Sequence, residues 1–209
     1  MIESLLQFLA PVRCVYCSIP KTLLCTEHLP ESSPTPEKIQ GLTGYFSHEL
    51  DQPLLAALGA FKDRSMTALA PILAGEIGPL ITTDLWRQAE LIAIPPSSTK
   101  AYRSRGFVPV KLVLRNSRNQ LPVNQLKLVR KVRDQRTLSA QERMENLAGA
   151  YRATGVAGKR VLLFDDVLTT SATLQEMHRA VVSAGAKVTG FCVLARRFPE
   201  SGDREKIKA

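Results

Sequence analysis

Long apolar runs are missing from this sequence. Among its 209 residues, no uninterrupted apolar segment reaches the length that a membrane-spanning helix needs. The first nine residues place four apolar side chains on one helical face, but Glu3 interrupts them and no basic start precedes them. We therefore predict a docking helix over Met1 to Leu9 rather than a signal peptide, and a cytoplasmic protein.

Repeats, heptad runs and a Walker A phosphate-binding loop are also absent. The segment Gly155 to Arg160 contains a Gly-Lys pair, but it has neither the Walker A spacing nor the Ser or Thr that follows the lysine. Hydrophobic residues make up 44% of the chain, enough for a substantial core. The length predicts one α/β domain of ordinary size with a small appendage.

Acidic residues are scarce in the middle third of the chain. Lys100 to Arg160 contains 15 Lys and Arg against three acidic residues, a net charge of +12 within a chain whose total is +9. A small phosphorylated ligand needs only part of that excess, which leaves charge for a polyanion such as nucleic acid. The alternative is a solvated basic face without a partner.

Cysteines are few, and three of the four are clustered. Cys14-x2-Cys17 and Cys25-x2-His28 form two short chelating pairs, a pattern that suits tetrahedral zinc and predicts a small N-terminal zinc-binding knuckle. The alternative is a set of free buried thiols beside an unrelated histidine. Cys192 lies in an apolar strand pattern and is predicted to be a core residue.

The stretch Val161 to Thr173 organises the rest of the chain. Four apolar residues predict a strand buried on both faces, Asp165 and Asp166 are expected to end it, and hydroxyl residues then open a helix. At such a strand end the free N–H groups of a helix bind phosphate, and the two carboxylates can accept hydrogen bonds from vicinal hydroxyls. The pattern predicts a sugar-phosphate ligand; the alternative is a strand end and a helix cap only.

Other segments fit an alternating order of strands and helices, which favours a mostly parallel sheet flanked by helices. Pro30 to Lys38 has the composition of a linker, and we predict an appendage over residues 1–38 and a larger domain over 39–209. Helical spacing between the predicted strands Leu42 to Leu50 and Glu90 to Ile94 indicates a hood of helices beside the sheet.

A small-residue turn follows the strand Glu90 to Ile94. Backbone N–H groups and a lysine there have the chemistry to receive a diphosphate. The predicted diphosphate loop consists of Ser97, Ser98, Thr99 and Lys100.

A charged segment before the capping box of Ser139 and Glu142 is a candidate mobile lid. The alternative is an ordinary exposed loop. The predicted lid and basic patch comprise Arg103, Arg105, Arg130, Lys131, Arg133 and Arg136.

The strand, the acidic pair and the Thr-Thr-Ser-Ala-Thr run resemble the 5-phosphoribosyl-1-diphosphate (PRPP) motif of type I phosphoribosyltransferases, with Ser171 where that family has Gly. The resemblance implies the fold of that family, with Asp165 and Asp166 at the ribose hydroxyls and Mg²⁺ bound with PRPP. The residues that it implies at the 5-phosphate are Thr169, Thr170, Ser171, Ala172 and Thr173.

Over its whole length the chain resembles ComF-family competence proteins. The resemblance is carried by the zinc knuckle, Phe61-Lys62-Asp63-Arg64, Arg105-Gly106-Phe107, the segment Gln135 to Ala150 and the PRPP motif, in that order. His28 replaces a usual cysteine, and Val108 a usual Asn. The family implies uptake or use of external DNA, single-stranded DNA as a partner, and contact with other DNA-uptake or helicase proteins. A phosphoribosyltransferase that acts on an unidentified acceptor is the alternative function.

Overall fold

The structure is a computed structural model that describes residues 12–29, 31–133 and 138–198. A six-stranded sheet forms its centre, and its strands lie in the order Thr35–Ile39, Leu42–Glu49, Lys187–Arg196, Arg160–Leu168, Leu91–Ile94 and Val123–Gln125. Every pairing in this sheet is parallel except that of the first two strands in this order. The predicted α/β fold with a mostly parallel sheet flanked by helices is therefore confirmed. The predicted N-terminal helix and Arg136 lie outside the described residues.

The strands of the main sheet, in chain order, are β1 (Thr35–Ile39), β2 (Leu42–Glu49), β3 (Leu91–Ile94), β4 (Val123–Gln125), β7 (Arg160–Leu168) and β8 (Lys187–Arg196). A separate antiparallel pair consists of β5 (Lys127–Leu128) and β6 (Tyr151–Arg152). The segment with linker composition, Pro30 to Lys38, thus contains most of the edge strand β1, because the backbone of β2 offers it a hydrogen-bonding partner there.

The α-helices are α1 (Gln52–Asp63), α2 (Ala70–Glu76), α3 (Gly78–Ile81), α4 (Asp84–Gln88), α5 (Thr99–Arg105), α6 (Pro109–Asn116), α7 (Ala140–Leu147) and α8 (Ala172–Ser183). Short 3₁₀ helices cover Thr26–His28 and Thr67–Leu69. Within the described parts of the chain, no helix has both the length and the apolar character needed to cross a membrane.

Local sequence signals account for several helix ends. The Asp51 side chain accepts a hydrogen bond from the Leu54 backbone N–H at 2.9 Å and caps α1. The predicted capping box of Ser139 and Glu142 is present at the start of α7. Gly185, with a φ of 79°, follows the end of α8 as predicted, in a conformation that favours glycine.

Two apolar clusters cover the two faces of the sheet. One contains Leu162 and Phe164 of β7 with buried residues of α1, α2 and α6, and the other contains Val161 and Leu163 with buried residues of α8. Both clusters bury side chains from alternate positions of β7, as expected for a strand covered on both faces. This double coverage holds the carboxyl end of β7 in a fixed place.

One strand boundary differs from the sequence prediction. Asp165 and Asp166 do not end β7, which continues through Leu168. The reason is its neighbour β8, which stays in register alongside: Asp165 is paired with Val193, and Leu168 with Arg196. The two aspartates therefore lie within the last four residues of the strand, where backbone pairing fixes their positions.

Candidate functional site

The N-terminal cysteine and histidine residues lie together, as their spacing predicts. Sγ and ring nitrogen atoms of Cys14, Cys17, Cys25 and His28 all fall within 4.8 Å of one another. Cys17 Sγ and Cys25 Sγ are 3.6 Å apart, and Cys14 Sγ lies 3.7 Å from His28 Nδ1. Ligands about 2.3 Å from a tetrahedral zinc ion lie about 3.8 Å from each other, so the donor set fits such an ion.

Two tight turns bring these ligands together. The Ser18 backbone N–H donates to the Cys14 carbonyl at 2.9 Å, which closes the turn that carries the first two thiols. The 3₁₀ helix Thr26–His28 then places His28 one turn after Cys25. The Tyr16 ring packs edge-on against the imidazole, with a centroid distance of 4.9 Å. Local backbone geometry therefore suffices to assemble this cluster.

Electrostatics favour a thiolate at Cys14. Burial raises the pKa of this thiol, but backbone hydrogen bonds at Cys17, Tyr16 and Cys25 and the side chain of His28 outweigh burial and lower the pKa to about 5. Thiolate is the form of cysteine that binds metal. Cys14 is buried in the same apolar cluster as the helices α1 and α2, so the knuckle packs on the core of the larger domain.

A second set of polar residues surrounds a cleft at the carboxyl ends of the parallel strands. This strand-end cleft has a volume of about 520 Å³. It lies where parallel α/β sheets bind their ligands. Its charged and hydroxyl side chains are Lys62, Asp63, Ser97, Ser98, Arg105, Asp165, Asp166, Thr169 and Arg197.

Asp165 and Asp166 line this cleft from β7. The Asp165 carboxylate accepts a hydrogen bond from the Asp166 backbone N–H at 2.8 Å. Burial is the largest cause that raises the pKa of Asp165, and repulsion by the neighbouring Asp166 carboxylate is the second. Together they raise this pKa to about 7, although the positive charge of Lys62 opposes the shift. Two carboxylates are thus held side by side, and their own repulsion and burial make one of them hold a proton more tightly.

Lys62 is the cation that lies against this acidic pair. Its Nζ is 2.7 Å from Asp166 Oδ2, and both side chains are largely buried. Lys62 lies in the last turn of α1, one of the helices beside the sheet, and its sequence position alone predicted no role for it. Its position in the Phe61-Lys62-Asp63-Arg64 motif was the available signal. The same motif supplies Asp63, whose Oδ1 lies 3.6 Å from Arg105 Nη2 across the cleft.

The predicted diphosphate loop divides between two surfaces. Ser97 and Ser98 line the strand-end cleft, and the Ser98 side chain also caps α5 by accepting from the Ala101 N–H at 3.1 Å. Thr99 lines a different cleft on the other side of α5. Lys100 is exposed on α5 and lines neither of these clefts. The structure therefore brings Ser97 and Ser98, but not Lys100, to the acidic pair.

The predicted phosphate loop follows β7 directly. Thr169 lines the strand-end cleft, while Ala172 is buried in the first turn of α8. Thr170, Ser171 and Thr173 are partly buried around the same turn. Ser171 has a φ of −68°, in the right-handed helical region, so this turn needs no glycine. The Ser171 hydroxyl also contacts the Gln175 side chain.

Arg196 supports this loop from the neighbouring strand. Its Nη1 donates to the Thr169 carbonyl at 3.0 Å, and its Nε donates to Glu37 Oε2 of β1 at 3.0 Å. The next residue, Arg197, reaches the strand-end cleft. Neither arginine was predicted from the sequence, because only the pairing of β8 with β7 brings them to the loop.

The predicted lid and basic patch is only partly assembled near the cleft. Arg105 lines the strand-end cleft, whereas Arg103 is exposed on α5. Arg130 donates to the Ala148 carbonyl at 2.6 Å and the Asn146 carbonyl at 3.0 Å, which caps the end of α7.

The backbone of Arg133 is also bonded to the side chain of Asn146, with N–H to Oδ1 at 2.9 Å and Nδ2 to carbonyl at 3.0 Å. Lys131 is exposed in the same segment. Residues 130–133 therefore lie against α7, and their closure over the cleft stays a prediction.

Comparison with known proteins identifies the family. The protein-family model described as "Phosphoribosyl transferase domain" matches residues 103–208 of this chain. No match is found among curated proteins. Similar solved structures include UMP synthase from Leishmania donovani, 18% identical over 69% of this chain and 26% of that one, with a TM-score of 0.41.

Two further similar structures are those of phosphoribosyltransferases. The phosphoribosyltransferase from Corynebacterium diphtheriae is 15% identical over 69% of this chain and 74% of the other, with a TM-score of 0.41. Orotate phosphoribosyltransferase from Aeropyrum pernix is 20% identical over 76% of this chain and 72% of the other, with a TM-score of 0.36. Because the family model covers half of its residues, this chain belongs to the phosphoribosyl transferase domain family.

Proposed function

We propose that this chain binds PRPP in the strand-end cleft. The observation that supports the proposal is the placement of two adjacent carboxylates beside two serine hydroxyls and three cations, at the ends of β7 and β3. A sugar with vicinal hydroxyls and phosphates at both ends matches that combination of acceptors, donors and positive charge.

Each part of the cleft has a role in this proposal. Asp165 and Asp166 accept hydrogen bonds from the ribose hydroxyls, and the loop from Thr169 to Thr173, at the start of α8, holds the 5-phosphate. Ser97 and Ser98 donate to the diphosphate, with Lys62 and Arg105 as nearby cations. Lys62 also keeps Asp166 oriented by its ion pair.

Two metals belong to the proposal. Cys14, Cys17, Cys25 and His28 hold Zn²⁺ as a structural ion, which fixes the knuckle. The oxygen atoms of PRPP, together with water, would hold Mg²⁺, in keeping with the reluctance of this ion to dehydrate. When bound, it neutralises charge on the diphosphate.

Calorimetric titration of Mg-PRPP into the protein tests the site. We expect saturable binding that the double variant Asp165→Asn, Asp166→Asn reduces at least a hundredfold, since the ribose hydroxyls then lose both carboxyl acceptors. Thermal unfolding and zinc content of the variant serve as controls. Absence of binding to the wild-type protein, or full binding to the variant, would refute the proposed site.

The biological role in this proposal is that of a ComF-type protein, which uses or takes up external DNA and binds single strands at the cytoplasmic face. Support comes from the whole-length resemblance and from the net charge of +12 over Lys100 to Arg160. Phosphate contacts make such binding salt-dependent. Fluorescence anisotropy with labelled single-stranded DNA at several salt concentrations is the test, and lack of binding at low salt would refute it.

A catalytic role is the second candidate, and the family match favours it. In that reaction an acceptor nucleophile forms a bond to C1 of PRPP while the C1–O bond breaks, and diphosphate leaves with the electron pair. Release of diphosphate that requires both PRPP and an added acceptor supports the enzyme. Tight binding of PRPP without release, across nucleobase and amine acceptors, supports a binding module.

A further inference from the structure

A second cleft lies on the other face of α5. It has a volume of about 560 Å³, and we call it the basic cleft. Residues Thr99, Tyr102 and Gly106 face it, whereas Ser98, Ala101 and Arg105 face the strand-end cleft. Its lining includes six polar, charged or aromatic residues that can contact a ligand: Ser97, Thr99, Tyr102, Lys111, Arg115 and Gln125.

Charge in the basic cleft has one sign. Lys111 and Arg115 are exposed and lie four residues apart on α6, and no acidic residue lines the cleft. Across the described ranges of the chain, the structure gives neither cation an ion pair. Like charges at this helical spacing repel each other, so the pair is unfavourable for the helix unless an anion neutralises it. An anionic ligand is therefore the natural occupant.

An aromatic ring accompanies the cations. Tyr102 lines the basic cleft and is 51% exposed, so part of its ring is available for stacking. Phe107 lines the same cleft but packs against Phe61, with a centroid distance of 5.3 Å. Gln125 and Thr99 add an amide and a hydroxyl. Cations, a free ring and hydrogen-bonding groups together match a phosphate and a nucleobase.

We infer that the basic cleft binds one or more nucleotides of single-stranded DNA, an inference that rests on the proposed DNA-binding function. Four of its side chains, those of Thr99, Tyr102, Lys111 and Arg115, are exposed, so the cleft is open to a chain that enters and leaves. The whole cleft also falls within or next to the basic third of the chain. Ser97 is shared with the strand-end cleft, so this DNA lies next to the PRPP site.

Charge reversal at the cleft tests the inference. We expect Lys111→Glu with Arg115→Glu to lower single-stranded DNA affinity at least tenfold. The slope of log affinity against log salt should fall by about 1.4, since each phosphate contact to a single strand contributes about 0.7. The matched control is Lys159→Glu with Lys187→Glu, which makes the same change in net charge at exposed positions near the opposite end of β7 and β8.

Stacking is tested separately at Tyr102. Tyr102→Ala should weaken single-stranded DNA binding by roughly tenfold, whereas Tyr102→Phe keeps the ring and should keep the affinity. Double-stranded DNA should bind more weakly and respond less to Tyr102→Ala, because its bases are already stacked. Equal loss in the Lys159 and Lys187 control, or no loss in either cleft variant, would overturn the inference.

The test also separates this inference from the proposed function. Wild-type protein that binds single-stranded DNA while both cleft variants bind equally well refutes the basic cleft alone. Wild-type protein that binds no DNA refutes the DNA-binding function and the inference together. Calorimetric binding of Mg-PRPP to the cleft variants should be unchanged, and its loss would show that the substitutions disturb the strand-end cleft.

Discussion

The cysteine-histidine cluster and the strand-end cleft are assembled in opposite ways. All four ligands of the cluster come from 15 consecutive positions and are placed by two local turns. Residues of the strand-end cleft come from positions 50 to 197 and meet because parallel strands end at one edge. Local sites can fail alone, whereas a site assembled by topology depends on the whole sheet. Variants in each region therefore show how separate the two regions are.

Loss of one metal ligand should have the largest effect. Cys25→Ser removes a ligand from the predicted zinc site, and metal content measured by mass spectrometry should fall from one equivalent to near zero. Residues 12–29 should then become more susceptible to proteolysis. Binding of Mg-PRPP should persist, because the strand-end cleft contains none of these ligands.

Cys192→Ala is the matched control for this prediction. Cys192 is the fourth cysteine, fully buried in β8 and remote in sequence from the cluster, and its replacement should leave the metal content unchanged. Full metal retention by Cys25→Ser would contradict the zinc assignment. Loss of PRPP binding by the same variant would show that the two regions are not separate.

Removal of the cation that pairs with Asp166 in the strand-end cleft should have an intermediate effect. Lys62→Met keeps most of the side-chain volume but deletes the ion pair with Asp166. We expect PRPP affinity to fall about tenfold, since a charged hydrogen bond contributes roughly 1.5 kcal/mol. Lys38→Met, at an exposed position of β1, is the control. Unchanged affinity in Lys62→Met would limit this residue to a structural role.

The smallest effect concerns pH and stability. The folded pKa of Asp165 is raised, so the folded chain binds this proton more tightly than the unfolded chain does. Its contribution to stability is therefore greatest below the ordinary pKa of about 4 and is lost as pH rises towards about 7. The groups that face it are Asp166, Lys62 and Tyr151.

Urea unfolding of the wild-type protein and of Asp165→Asn, at about pH 5 and about pH 8, measures this effect. The stability of the wild-type protein relative to the variant should decrease between the two pH values, because the amide cannot titrate. A relative stability that increases over the same interval would contradict the direction of the pKa shift.

Local patterns in the sequence predicted several features of the structure. Spacing gave the cysteine-histidine cluster, apolar runs gave β3 and β7, and the capping residues of α7 gave its start. Adjacent acidic residues after an apolar run also pointed to the cleft. These signals lie within a few positions of each other, so one sequence suffices to read them.

Contacts between distant segments could not be predicted in this way. Lys62 meets Asp166 across 104 positions, and Arg196 meets the Thr169 carbonyl only because β8 lies beside β7. Arg130 was assigned to a basic patch on charge alone, whereas its guanidinium binds the last carbonyls of α7. A count of charges does not reveal which of them are already engaged by the fold.

Helix α5 is a shared wall, because its residues Thr99 and Tyr102 line the basic cleft while Ala101 and Arg105 line the strand-end cleft. Two ligands that occupy neighbouring cavities around one short helix are thermodynamically linked whenever either displaces it. Any factor by which PRPP changes the affinity for DNA is then, by necessity, the factor by which DNA changes the affinity for PRPP. Through this linkage, the metabolic supply of an activated sugar would determine how tightly single-stranded DNA is bound.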